Sequence, residues 1–165
     1  MKILIYMDSE KYHHSPVMMG KIIAKATGGK INVLVVIPKG GHPENGEAIA
    51  EQAKLDLEDF SPEVFVKEGK SREIIKEELD REEYQLVIAD TDRINRIKKS
   101  IEVDPIFIKQ SDISLLLTQQ TKPRINKILL CTGCKEDDYS VINQASALAA
   151  DLGAAVTLLH VFPGA

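Results

Sequence analysis

Lys2-Ile-Leu-Ile-Tyr-Met-Asp8 opens the chain, and Lys127-Ile-Leu-Leu-Cys-Thr-Gly133 repeats it at a shift of 125 residues. Continued without a gap, the same shift lays Ser15 on Ser140, Ala24 on Ala149, Gly28 on Gly153, Leu34 on Leu159, Val36 on Val161 and Pro38 on Pro163. Matches that keep a helix start and a helix stop in phase mark a repeated structural unit. Residues 2–7 form a short apolar run without alternation, as expected of a strand buried on both faces. Ser15 reads as an N-cap, with Pro16 at the first helical position, where a missing N–H costs nothing. Val17, Ile22, Ile23 and Ala26 give that helix an apolar stripe, and Gly28-Gly29 supplies a left-handed stop. Ile31 to Ile37 is a second buried strand, closed by Pro38 and the glycines at 40 and 41. The repeated unit is therefore strand–helix–strand.

The first copy continues the alternation. Glu44 to Phe60 reads as a helix with Ile49, Ala53, Leu57 and Phe60 on one face, and Glu63 to Lys67 as a short strand. Ser71 caps a helix carrying Ile74, Ile75 and Leu79, and Tyr84 to Ala89 is another buried strand. The charged stretch from Lys67 to Glu83 carries both signs and reads as the solvated face of that helix. Asp104-Pro105 opens a short helix through Gln110, and Ile113 to Thr118 is the fifth strand. Five strands alternating with four helices imply an α/β fold, a doubly wound, Rossmann-like, five-stranded parallel sheet with right-handed crossovers. The expected organisation is a domain over 1–120, a polar linker over 121–125, and a partial second repeat over 126–165. Ligands of such sheets bind beyond the carboxyl ends of the strands, which directs attention to loops 7–15, 37–46 and 89–104.

Bulk properties narrow the function classes. Of 165 residues, 44% are hydrophobic and 28% charged, a globular composition rather than a disordered one. A formal net charge of −4 argues against nucleic acid or an acidic membrane surface as the main partner. The apolar run before Asp8 is too short for a signal-peptide core, and no window reaches the roughly 18 apolar residues of a membrane helix. The expected location is the cytoplasm, where the two cysteines would be free thiols.

Lys2 to Ser9, the helix beginning at Ser15, and Val33-Leu-Val-Val-Ile-Pro38 resemble the opening of a universal stress protein domain. Lys127-Ile-Leu-Leu, Leu148-Ala-Ala-Asp-Leu-Gly153 and Leu158-Leu-His-Val161 resemble that opening again. Glu68-Gly69-Lys70 followed by Tyr84-Gln-Leu-Val-Ile-Ala89 resembles the later half. The resemblance implies a tandem-type member of that family with its second domain cut short. It further implies that Asp8, ending the first strand, and Val36, ending the second, would border an adenosine. Nucleotide-binding members hold phosphates with a glycine motif after the fourth strand, because glycine lets backbone N–H groups approach the anion. Here Asp90 and Arg93 stand at the first two glycine positions, and no glycine occurs between Gly69 and Gly133. A carboxylate where a phosphate should pack is repulsive, so the ATP grip is expected to be degraded. In the second copy Gly133 replaces the aspartate.

Other constellations compete with this reading. Arg93, Arg96, Lys98 and Lys99 could form a substitute anion clamp, which would make the chain an ATP- or AMP-dependent switch or an ATPase. Cys131-Thr-Gly-Cys134 could form a thiol redox switch, although Lys135-Glu-Asp-Asp-Tyr separates it from the next helix cap and would raise a thiol pKa. A single CxxC supplies two metal ligands, short of a structural zinc. His13 and His14 lie in the first loop and should point in different directions; His42 and His160 stand apart. No residue set reads as catalytic and none as a metal site. The sequence thus points to a non-catalytic, universal-stress-like regulatory or binding module with no obligatory cofactor. A homo-oligomer closed through the partial second repeat is expected, because two strands and one helix leave an apolar sheet open. A protein partner is the further expectation.

Overall fold

The structure, a computed structural model, describes residues 1–90, 113–118, 125–132 and 138–160. The elements in chain order are β1 (Lys2–Asp8), α1 (His14–Thr27), β2 (Lys30–Ile37), α2 (Pro43–Asp56), a 3₁₀ turn (Glu58–Phe60), β3 (Glu63–Glu68), α3 (Ser71–Arg81) and β4 (Leu86–Asp90). They continue with β5 (Ser114–Thr118), β6 (Lys127–Thr132), α4 (Asp138–Leu152) and β7 (Ala155–His160). The first five strands form one parallel sheet in the order β3-β2-β1-β4-β5, and β6 and β7 form a separate parallel pair. The doubly wound fold expected from the alternation is the fold observed. The expected short helix over 104–110 and the linker over 121–125 fall wholly or largely outside the described residues.

Parity within the strands explains the two-sided burial. Ile3, Ile5 and Met7 of β1 share a face with Ile31, Val33 and Val35 of β2, and α1 and α2 cover it with Val17, Ile23, Ile49 and Ala53. Leu4 and Tyr6 share the opposite face with Leu34, Val36, Val87 and Ala89, under Ile74 of α3. Side chains that alternate across a strand fill both layers only when nearly every position is apolar, which is why these strands read as continuous runs. Gly20 lets α1 lie close to the sheet: a Cβ there would stand 2.6 Å from Ile5 Cδ1.

The helix boundaries correct three sequence readings. Helix α1 begins at His14, so His13 and not Ser15 occupies the N-cap position, and its side chain makes no cap hydrogen bond. Pro16 then lies two steps deeper, at the third helical position, where N–H groups still lack intrahelical acceptors. The helix expected over 44–60 ends at Asp56 and tightens into the 3₁₀ turn. Ser71 begins α3 but Lys70 holds its N-cap position, again without a side-chain cap bond. The left-handed stop is as expected, with Gly28 at φ 64°.

The stretch from Lys67 to Glu83 is not wholly a solvated face either. Glu78 is fully buried, the i+4 neighbour of Ile74 on the stripe that α3 turns to the sheet. Arg81 donates to it through Nη2 at 2.7 Å and Nε at 3.1 Å, and the Tyr84 hydroxyl at 2.7 Å. Asn32 donates to the Tyr84 oxygen at 2.9 Å, and Lys67 Nζ lies 3.6 Å from Glu78. Burial works against the ionised form of Glu78. The Arg81 and Tyr84 hydrogen bonds, with the charges of Arg81 and Lys67, outweigh it and hold the carboxyl below its ordinary range.

Candidate functional site

The strand order reverses between β1 and β4, because β1 leads outward to β2 and β3 while β4 leads to β5 on the other side. The carboxyl ends of β1 and β4 are Asp8 and Asp90, both buried. A doubly wound sheet opens its ligand crevice at this reversal. Two buried carboxylates therefore stand at the edge where such a fold places its crevice.

The segment from Ser9 to His13 crosses that edge and is fixed along its length. Ser9 N donates to Val36 O at 3.1 Å, and Glu10 N donates to Asp8 Oδ1 at 3.0 Å, a turn closed by the aspartate's own side chain. The Tyr12 hydroxyl donates to Asp56 Oδ2 at 2.7 Å, and Lys21 Nζ donates to the Asp56 carbonyl at 2.7 Å. Burial, then the hydrogen bond to Asp56 and its negative charge, push the Tyr12 pKa upward, so the phenol remains a donor. His13 Nδ1 lies 3.2 Å from Asp90 Oδ2, and both side chains are largely enclosed. His14 turns outward, with Nδ1 3.5 Å from Asp56 Oδ2 and its ring edge-on to Tyr12 at 4.8 Å between centroids. The adjacent histidines point apart, as an extended backbone requires.

Of the residues singled out from sequence, Asp8 and Asp90 end the neighbouring strands β1 and β4 at the same sheet edge. Val36 pairs in register with Asp8, but its side chain is sealed in the core with Leu4, Tyr6 and Leu34. What Val36 presents at the edge is its backbone carbonyl, already taken by Ser9. Arg93, Arg96, Lys98 and Lys99 lie outside the described residues, as does Cys134. Cys131 is exposed near the end of β6. His42 is exposed beside Glu44, with Nδ1 3.0 Å from Oε1. Among the described residues no group of three or more His, Cys, Asp or Glu side chains is arranged to hold a metal. The pairing of His13 with Asp90 and the tether of Tyr12 to Asp56 are not legible in the sequence. The one available signal is that loops 7–15 and 89–104 end at the same sheet edge.

No protein-family model matches this sequence, and no curated protein does. Among solved structures, the chain matches a universal stress protein whose crystal structure was determined in complex with cAMP. The TM-score is 0.54 at 13% identity, over 73% of this chain and 97% of that one. The chain shares that protein's α/β fold. At this identity the likeness carries the architecture of the five-stranded sheet and its helices, and nothing about ligand or partner. Among the described residues no helix is long and apolar enough to cross a membrane.

Proposed function

We propose that this chain is a non-catalytic, universal-stress-like binding module whose β1/β4 crevice takes the nucleoside end of a nucleotide and lacks a grip for a polyphosphate. The observation that carries the reading is the pair of buried carboxylates, Asp8 and Asp90, at the reversal point of the sheet. Carboxylates accept hydrogen bonds from hydroxyl and amino groups and repel phosphate oxygens. Asp90 also stands where the family resemblance expects the first phosphate-loop glycine. The solved structure sharing this fold was determined with cAMP, a nucleotide with a single phosphate, which is in keeping with a site that reads the nucleoside more than a phosphate chain.

The proposal includes a homo-oligomer closed through β6 and β7, where Leu129, Leu158 and Leu159 are exposed. Light scattering that returns the monomer mass, with β6 and β7 protected from hydrogen exchange, would remove that part.

Isothermal titration tests the ligand reading. Adenosine and AMP are expected to bind, and Mg-ATP to give no heat up to about 1 mM, the limit of a useful interaction of about −4 kcal/mol. Micromolar Mg-ATP binding would instead make the chain a nucleotide-dependent switch, with the basic residues at 93, 96, 98 and 99 as the candidates for its phosphate site.

A further inference from the structure

The Glu78 network and the crevice both bury charge, but they differ in completeness. Glu78 accepts from Arg81 and Tyr84 and has a lysine beside it, so it is engaged entirely by the protein. His13 is engaged on one side only. Its Nδ1 faces Asp90, its side chain is 12% exposed, and its Nε2 is buried with no hydrogen-bond partner among the described residues. A buried polar atom left in that condition costs about 1–3 kcal/mol, so a partner from outside the described fold has something to gain there. The side chain could have capped α1 from its N-cap position and does not. Tyr12 and Lys21 hold Asp56, and Asp56 holds the loop, so the imidazole is positioned before any ligand arrives.

We infer that His13 is a ligand-reading residue of the crevice, and that its Nε2 accepts a hydrogen bond from a ribose hydroxyl of a bound nucleoside. This rests on the nucleoside reading above and names the atom that would tell a ribose from a deoxyribose. In the proposed complex the ring donates its Nδ1–H to the Asp90 carboxylate, 3.2 Å away, and accepts at Nε2. An acceptor in this position selects a hydroxyl or amine donor. A ribose hydroxyl is such a donor.

The test is isothermal titration of the full chain with adenosine and with 2′,3′-dideoxyadenosine, on the parent protein and on His13→Phe, with thermal melts of both. The expected result is a roughly tenfold weaker affinity for the dideoxy compound in the parent, the worth of about one neutral hydrogen bond. That difference should collapse in His13→Phe at an unchanged melting temperature. If His13→Phe does not fold, His13→Leu takes its place and is read in the same way. Equal affinity for the two compounds in the parent overturns the inference and leaves the nucleoside reading standing. So does a dideoxy penalty that persists in the variant, or a variant that binds adenosine more tightly because the ring had been filling the crevice. If the parent binds neither compound, the nucleoside reading itself fails and takes this inference with it.

Discussion

The β1-α1-β2 unit and the β6-α4-β7 unit share one strand–helix–strand geometry in two surroundings. The register of β1 on β2 pairs Lys2 with Lys30, and that of β6 on β7 pairs Lys127 with Ala155, the same match shifted by 125. Gly28 and Gly153 stop their helices at φ 64° and 63°. Gly29 N donates to Ala24 O at 3.0 Å, and Ala154 N to Ala149 O at 2.9 Å. Burial is where the copies part. Leu4 and Val33 are fully enclosed, whereas their counterparts Leu129 and Leu158 are 62% and 56% exposed. In the first copy, β4 pairs beside β1, β3 beside β2, and α3 covers one face. Among the described residues β6 and β7 have only each other in their sheet, while Leu148 of α4 leans on the core beneath α1. Backbone geometry is thus dictated locally, within a unit of under forty residues. Burial depends on which other elements arrive.

The largest effect that would break this contrast is a cavity. Leu4→Ala is expected to cost about 3–5 kcal/mol in urea unfolding at any protein concentration, and Leu129→Ala to stay within about 0.5 kcal/mol of the parent at dilutions where the proposed oligomer has dissociated. A loss at Leu129 that appears only as protein concentration rises is what the proposed β6–β7 oligomer requires, and a matching loss in the dilute monomer would mean that the chain itself covers β6.

Next in size is the charge network that only the first copy possesses. Glu78→Gln keeps the shape and removes the charge, and should cost about 2 kcal/mol at neutral pH. Because the folded-state pKa of Glu78 lies below its unfolded value, its contribution is present above the ordinary carboxylate range. It is lost as pH falls through the folded value. Urea midpoints measured from neutral to acid pH should therefore fall more steeply in the parent than in Glu78→Gln; parallel curves would mean the network carries no net stabilisation.

The smallest effect concerns the helix contact. Gly20 and Ala145 are equivalent positions, and only the first touches a closely packed sheet. Gly20→Ala should cost about 1 kcal/mol through its crowding of Ile5, despite alanine's better helix propensity. Ala145→Gly should weaken α4 by a similar amount through propensity alone, read by hydrogen exchange in 138–152. A stabilising Gly20→Ala would show that Ile5 yields freely.

How much of this was legible follows the same division. The apolar runs of β1, β2 and β4, the glycine stops and the repeat are local facts, and the sequence states them. Ser15-Pro16 suggests an N-cap two residues beyond the observed one at His13, because it is a local preference that carries no information on the tertiary contacts of the loop. Glu78 read as solvated because charge usually is. The i+4 spacing from Ile74 was visible, but nothing local says that Tyr84 and Asn32 will converge on it. Asp8 and Asp90 could be placed at one edge from the topology. The pairing of His13 with Asp90 could not, since it depends on tertiary distance between segments far apart in sequence.

That separation also orders events in time. β1 closes on β2 across one helix, but reaches β4 only after a loop roughly three times as long, and longer closures cost more entropy and form later. The crevice, which needs both strands, is accordingly expected to be the last feature to assemble during refolding. In pulse-labelled exchange the amides of β1 and β2 should gain protection before those of β4; simultaneous protection would mean that the sheet condenses in one step. A newly made chain would then pass through a stage at which its first strand–helix–strand unit is formed and its ligand site is not.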